Sequence, residues 1–255
     1  MPGRSQGYIM LWQGGSLWIG RSEATTTPHE HHAIQVSLAL EGRARLWDAA
    51  SADAGLDLAA AIVAPDRAHA FAAEGATVAM IFVEPESVIG RAILQRHGGP
   101  GVVTPLDPAH LADLPAGLRA AFSAGDRDAM GRLARQAIDL LAGADATTRR
   151  LEPDPRVRRV IRMLATRAEA PPTLTEAAAE VRLSPGRLRH LFIAETGLHY
   201  SGYVLWLRLE RAVAVFAAGG SLTEAAHAAG FADSAHLSRT FRRMFGLAPS
   251  SLQIR

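Results

Sequence analysis

The sequence predicts an α+β chain: a β-rich N-terminal region forming a small barrel or sandwich, helices that follow it, and an all-α region of two tandem helix-turn-helix units joined by a linker helix. Three observations carry that prediction. Short apolar runs broken by Gly, Asp and Pro fill residues 1–84, the apolar period lengthens to that of a helix after Glu86, and one helical unit occurs twice beyond residue 155.

Residues 17–20, 33–40, 44–47, 58–63 and 78–83 are the predicted strands, with a hairpin turn expected at Glu41-Gly42. If residues 28–40 form one strand, period-two alternation puts His29, His31, Gln35 and Ser37 on one face and Ile34, Val36, Leu38 and Leu40 on the other. His32 has the opposite parity and is expected at the surface. From Glu86 the stripes are helical: Val88, Ile89, Ala92 and Ile93; then Leu118, Ala121 and Phe122; then Met130, Leu133, Ala134, Ala137, Ile138 and Leu141. Asp126 is placed to cap the third of these helices and Gly143 to stop it. Residues 144–155, polar and proline-containing, are the predicted linker between an N-terminal domain at 1–143 and a C-terminal domain at 156–255.

The C-terminal domain opens with an amphipathic helix carrying Arg158, Arg159 and Arg162. The motif LTEAA then starts at Leu174 and starts again at Leu222, an offset of 48 residues, while Leu188, Phe192 and Gly197 match Leu237, Phe241 and Gly246 at an offset of 49. In each copy an apolar stripe runs along two short helices with a corner between them, and in the second copy Gly230 supplies a permissive backbone for that corner while Phe231 fills its angle. Thr173 or Thr175 is placed to cap the first LTEAA helix. Ser184-Pro185 opens the next helix as N-cap plus proline. Residues 200–218, with Val204, Leu205, Leu207, Leu209, Val213 and Phe216, are apolar enough to form one helix packed against both copies.

The glycine-phenylalanine pair at Gly230-Phe231, the segment LSRTFRRMFG at residues 237–246 and Pro249 resemble the DNA-binding domain of AraC/XylS-type transcription regulators. The likeness covers residues 156–253. Leu252-Gln253 departs from it, because the family usually has an aromatic residue followed by Arg there. The resemblance implies that bases are read by Arg189, His190, Ser234, Ser238 and Arg239, and that Arg187, Arg242 and Arg243 meet the DNA backbone. Within HEHHAIQVSLALEG at residues 29–42, and again in APDRAHAF at residues 64–71, the chain resembles the cupin-like sensor domain that often precedes this DNA-binding domain. That likeness implies an effector site at His29, His31, Gln35 and His69. It also makes His29, His31 and His69 a candidate divalent-metal set, although Gln35 stands where metal-binding cupins carry Glu, and an amide brings no charge to offset the cation. The expected partners are double-stranded DNA, a small-molecule effector, RNA polymerase and a second copy of the chain; no cofactor is required.

Charge agrees with this division. Residues 1–150 hold 13 Arg against 16 acidic residues, while residues 151–255 hold 14 Arg against 9, so the positive charge coincides with the repeat. An absence of Cys excludes disulfides, thiolate ligands and cysteine nucleophiles. Hydrophobic residues make up 48% of the chain and charged ones 20%, which describes a globular protein rather than a disordered one. With no apolar run near the ~20 residues that span a bilayer and no leader-like N-terminus, the expected location is the cytoplasm and no membrane partner is expected. Two other classes compete: a cupin-type metal-dependent enzyme fused to a DNA-binding module, which requires a metal at the histidines, and a helical adaptor, which leaves the basic repeat unexplained. The expectation is a regulator and not an enzyme.

Overall fold

Leu17 and Ile19 are buried while Ser16, Trp18 and Gly20 between and beside them are partly exposed, and this alternation makes residues Gly15–Ser22 a strand with one face inward. It is β2 of a sheet that also contains β1 (Ser5–Trp12), β3 (Ile34–Glu41), β6 (Ala60–Val63), β8 (Ala76–Val83), β9 (Val103–Pro105) and β10 (Leu252–Ile254), in the order β10-β1-β2-β8-β3-β6-β9. A smaller sheet has the order β5-β4-β7, from β4 (Ala44–Asp48), β5 (Leu56–Asp57) and β7 (His69–Ala73). Leu46 and Phe71 of the small sheet pack with Ala61, Val63 and Val78 of the large one, so the core lies between them.

The computed structural model describes residues 5–50, 55–99, 101–143, 151–167 and 170–254. They form two units: Met1–Thr148 with Phe241–Arg255, and Arg149–Thr240. Residues 144–150 of the predicted linker lie outside the described residues. Among the described residues no helix is long and apolar enough to cross a membrane.

Two expectations about the sheets need correction. Glu41-Gly42 is not a hairpin turn, because β3 pairs with β6 and β8 whereas β4 pairs with β5 and β7. Here the chain changes sheets, and Gly42 at φ +79° passes close against Ala76. Nor is 28–40 one strand: β3 starts at Ile34, and before it only a single bridge, His29 to His69, is formed. The N-terminal strand β1 and the terminal strand β10 were not predicted. They pair in parallel, Ser5 opposite Leu252 and Gly7 opposite Ile254.

Three helices complete the N-terminal part of the first unit: α1 (Val88–His97), α2 (Leu114–Ala124) and α3 (Arg127–Ala142). Their predicted stripes are the buried ones, with Ile93, Leu118, Met130 and Leu141 fully enclosed. Asp126 caps α3 by accepting from the Ala129 N–H, and Gly143 follows its end.

The second unit contains α4 (Pro155–Thr166), α5 (Leu174–Glu180), α6 (Pro185–Thr196), α7 (Tyr200–Ala217), α8 (Leu222–Ala228) and most of α9 (Ser234–Phe245). Val157, Val160, Leu164, Leu188 and Phe192 form its core with Tyr200 and Tyr203, whose rings meet Phe192 edge-on at 5.5 and 5.3 Å. As predicted, 200–218 is one helix, α7, and it packs against α6 and α8.

The repeat is reproduced bond for bond. Thr173 with Glu176 and Ser221 with Glu224 each form a reciprocal capping box. At the two corners, Leu183 N–H donates to Ala178 O and Phe231 N–H donates to Ala226 O, both at 2.9 Å. The residue before each of these turns left-handed: Gly230 at φ +73° in one copy, Arg182 at φ +55° in the other. Ser184 then caps α6 through Arg187 N–H, whereas Asp233 caps α9 through His236 N–H. Ala232 is therefore the extra residue that changes the offset from 48 to 49.

Arg182 holds a conformation that costs a side-chain-bearing residue about 1–2 kcal/mol relative to glycine, partly offset by glycine's greater unfolded-state freedom. Arg182→Gly should therefore raise stability by about 1 kcal/mol and Gly230→Ala lower it by a similar amount. Urea unfolding at neutral pH checks both; a loss of stability in Arg182→Gly, or no loss in Gly230→Ala, would contradict the assignment.

Candidate functional site

Reciprocal backbone bonds, His29 N–H to His69 O at 3.0 Å and His69 N–H to His29 O at 2.9 Å, bring the segment ahead of β3 against the start of β7. Their side chains consequently lie together, with ring centres 4.2 Å apart, and His31 joins them at 4.9 Å from His69. All three are buried, and each offers a ring nitrogen within 4.8 Å of the others. Each Nδ1 faces a backbone carbonyl two residues away: Thr27 for His29, Ala33 for His31, Arg67 for His69. Carbonyl oxygens only accept, so the proton belongs on Nδ1 and the lone pair on Nε2.

Burial holds all three imidazoles neutral. It lowers the pKa of His29 to about 4, with His69 adding to the effect; it lowers His31 well below the usual value, reinforced by His69 and His29; and it lowers His69. His69 Nε2 is buried and has no hydrogen-bond partner among the described residues. His31 Nε2 lies 2.9 Å from the Gln35 side-chain oxygen, and the Gln35 amide nitrogen donates to Ser37 Oγ at 2.7 Å. With the His31 proton on Nδ1, that contact sets two acceptors face to face. A cation between them, or a turned amide with Ser37 donating to its oxygen, resolves the conflict. Neutral imidazoles anchored through Nδ1 with converging Nε2 lone pairs are a donor set that fits a divalent metal. The four residues predicted from the sequence are thus brought together, although the single strand that suggested them is not formed.

His32 corrects the remaining expectation. It is 2% exposed rather than on the surface, because the chain bends ahead of β3 and strand parity does not apply. Its Nδ1 and Nε2 each lie 3.1 Å from a carboxylate, Asp66 and Glu86. Burial alone would lower its pKa, but hydrogen bonds and charge from Asp66 and Glu86 override this and raise it to about 9. A buried imidazolium therefore ties the bend to the loop before β7 and to the approach to α1. The signal available in the sequence was the cluster of acids at Asp66, Glu84 and Glu86, which a lone parity argument ignores.

In the helical part, α6 presents Arg187, Arg189 and His190 to solvent while Leu188 and Phe192 point inward. On α9, Arg239, Arg242 and Arg243 are exposed, and Ser234 and Ser238 are half-buried, with the Ser238 hydroxyl donating to Ser234 O at 2.8 Å. Three of the four arginines of α4 differ, Arg162 being exposed like those of α6 and α9. Arg156 pairs with Asp154, Arg158 with Glu152 and Arg159 with Glu180. Among the described residues the five arginines of α6 and α9 have no such partner.

The Helix-turn-helix domain family model matches residues 177–255. The uncharacterized HTH-type transcriptional regulator YidL of Escherichia coli (strain K12) is 33% identical over 103 residues, 39% of this chain and 35% of that protein. The transcriptional activator RhrA of Rhizobium meliloti (strain 1021) is 34% identical over 84 residues, 32% of this chain and 26% of that protein. The chain thus spans about a third or less of these curated relatives. Over its whole length it resembles ToxT from Vibrio cholerae O395, with a TM-score of 0.53 at 12% identity, covering 98% of this chain and 94% of that one. A similar likeness, TM-score 0.53 at 9% identity and covering 98% and 92%, is to ToxT of strain SCE256 with an unsaturated fatty acid bound.

Residues 177–255 match a helix-turn-helix domain. The match takes in α6, α7, α8 and α9, and so includes every residue predicted to read bases or touch phosphate. It also includes the stretch from Phe241 onward, which belongs structurally to the first unit. Within that unit the departure at Leu252-Gln253 has a structural counterpart, because these residues open β10 rather than forming an aromatic cap.

Removing the imidazolium by His32→Ala would leave Asp66 and the buried Glu86 facing each other without it, a change that typically costs about 3–5 kcal/mol. Since the folded pKa is raised above the unfolded value, the contribution is fully present below pH ~6.5 and is lost as pH rises through about 9. Urea midpoints measured from pH 6 to 9.5 should fall for the parent chain and fall less for His32→Ala; parallel curves would refute the ion-pair assignment.

Proposed function

We propose that the chain is a sequence-specific DNA-binding transcription regulator controlled by a small-molecule effector, acting in the cytoplasm and not as an enzyme. On this reading residues 1–143 are the sensing domain, 144–155 the linker and 156–255 the DNA-binding domain. The observation that carries it is the set of five arginines on the outer faces of α6 and α9, exposed and without an ion-pair partner among the described residues, whereas three of the four arginines of α4 are spent on ion pairs. Unpaired guanidinium groups on exposed helix faces, in two copies of one unit, suit two successive segments of the major groove, about 34 Å apart. Arg189 and Arg239, with His190, Ser234 and Ser238, would read base edges; Arg187, Arg242 and Arg243 would hold phosphates. The effector would meet His29, His31, Gln35 and His69. The structure of ToxT with an unsaturated fatty acid bound supports the reading that this fold takes a small molecule with apolar surface. RNA polymerase and a second copy of the chain are the partners this function calls for.

The unpartnered Nε2 of His69 favours a second reading of the same site, in which His29, His31 and His69 hold a divalent metal. The metal would supply a positive charge able to receive an oxygen donor from the effector. Zinc titration of chelator-treated protein should give one site, weakened at least about tenfold by His69→Ala. Binding unchanged by that substitution would place the metal elsewhere.

A correctly aimed Arg donates two hydrogen bonds to guanine N7 and O6 and discriminates by about 1–3 kcal/mol. Arg189→Ala and Arg239→Ala should therefore weaken binding to the specific site far more than to random DNA. Arg242→Ala should weaken both alike and reduce the salt slope by about one unit. If all three substitutions act equally on both DNAs, the division into base and backbone contacts is wrong.

A further inference from the structure

The first unit encloses a cavity of about 100 Å³ whose walls include Ile9, Trp18, Val78 and Phe82 of the large sheet. Phe245, Leu247, Leu252 and Ile254, from the end of α9 and the C-terminal segment, form another wall. The Trp18 ring lies 5.4 Å from Phe82 and 4.7 Å from Phe245, so the aromatic surface is continuous across the two walls. Among its described lining residues there is no Arg, Asp or Glu, and the chain has no Lys.

The polar groups at the rim are largely committed to one another. Ser5 and Ser22 share a hydrogen bond at 2.8 Å, Thr26 both donates to and accepts from the Phe71 backbone, and Gln35 is held by His31 and Ser37. His29 spends its Nδ1 on Thr27. An ionised carboxylate entering here would lose its hydration and gain no cation, a penalty of several kcal/mol. An uncharged ring would lose little and gain apolar contact.

Size narrows the class further. An engineered apolar cavity of about 150 Å³ holds benzene. The present cavity is of that order, and its lining includes all three residues of the edge strand β10, which pairs with β1. Gly246, at φ +70° and too close to Thr27 O to accept a Cβ, fixes where this wall begins.

We propose that this cavity, whose lining includes His29 and Gln35 of the four predicted effector residues and not His31 or His69, is the effector site and that it selects uncharged apolar molecules of about one ring, with the metal-free protein excluding ionised carboxylates. The proposal deepens the effector-sensing reading and rests on it. Full-length, chelator-treated protein at pH 7.5 is titrated calorimetrically and by tryptophan emission with toluene and benzyl alcohol, and in parallel with benzoate and phenylacetate. The neutral probes should bind at least tenfold more tightly than the carboxylates and change the emission. Trp18→Phe should abolish most of the emission change while calorimetry still detects binding, and Ala24→Leu, which narrows the cavity, should weaken the neutral probes at least tenfold. Benzoate binding within threefold of benzyl alcohol overturns the proposal, as does the absence of heat from both neutral probes at millimolar concentration. Should Ala24→Leu fail to fold, the comparison of probes on the parent chain decides alone. Specific DNA binding, measured on the same preparation, separates the two readings: a chain that binds DNA but no probe loses the ligand class and keeps the regulator.

Discussion

The backbone exchange between His29 and His69 is the constraint on which the first unit depends. His69 opens a strand of the small sheet, and His29 belongs to the segment feeding the large one, so this bridge ties the two sheets where neither has a continuous ladder. Two imidazoles are thereby forced together away from water, and their neutrality follows from burial rather than from any designed partner. The cost of burying the third, His31, is met through Ala33 and Gln35. Next to them His32 is resolved in the opposite manner, as a cation between carboxylates. Adjacent residues of one type carry opposite charge states because one bends toward apolar walls and the other toward Asp66 and Glu86.

In the helical repeat, the conserved physics between copies is local and backbone-centred: a capping box, a left-handed corner residue, and a six-residue return bond after the first helix. What differs is confined to the corner. Arg182 and Gly230 occupy equivalent positions, and the second copy takes one more residue, Ala232, before its cap. A longer corner with glycine tolerates a different entry angle for α9 than the strained Arg182 corner sets for α6, so identical caps and cores need not aim the two outer faces in the same way.

Most of this was readable from the sequence wherever the determining contacts were near in sequence. The repeat, the cap at Thr173, the proline start after Ser184, the cap at Asp126 and the apolar stripes of α1 to α3 depend on neighbours within one or two turns, and all are present. The clustering of His29, His31, Gln35 and His69 was reached through resemblance, and the strand invoked for it is absent; the residues meet through a bridge and a bend instead. Glu41-Gly42 failed because a Gly between two apolar runs marks a turn in either case, and only long-range pairing tells whether the next strand joins the same sheet. β1 and β10 lie at opposite ends of the chain, so no local pattern could pair Ser5 with Leu252.

The C-terminal segment shows how one stretch can answer to two demands. Phe241 and Phe245 continue the inward stripe of α9, and in the first unit the same two rings lie against Trp18, at 6.1 and 4.7 Å. Gly246 then turns left-handed so closely against Thr27 that its carbonyl accepts from both the Thr27 N–H and hydroxyl. A residue with a Cβ there would strike Thr27 O and His29 Nδ1. The glycine that ends the segment LSRTFRRMFG is therefore required twice over, by the left-handed turn after a helix and by contact with the segment that carries His29. Sequence reasoning accounts for the first requirement through the matching Gly197, which also turns left-handed after α6. The second is set by contact with Thr27 and His29 within the first unit, more than two hundred residues away along the chain, which no pattern local to the repeat encodes.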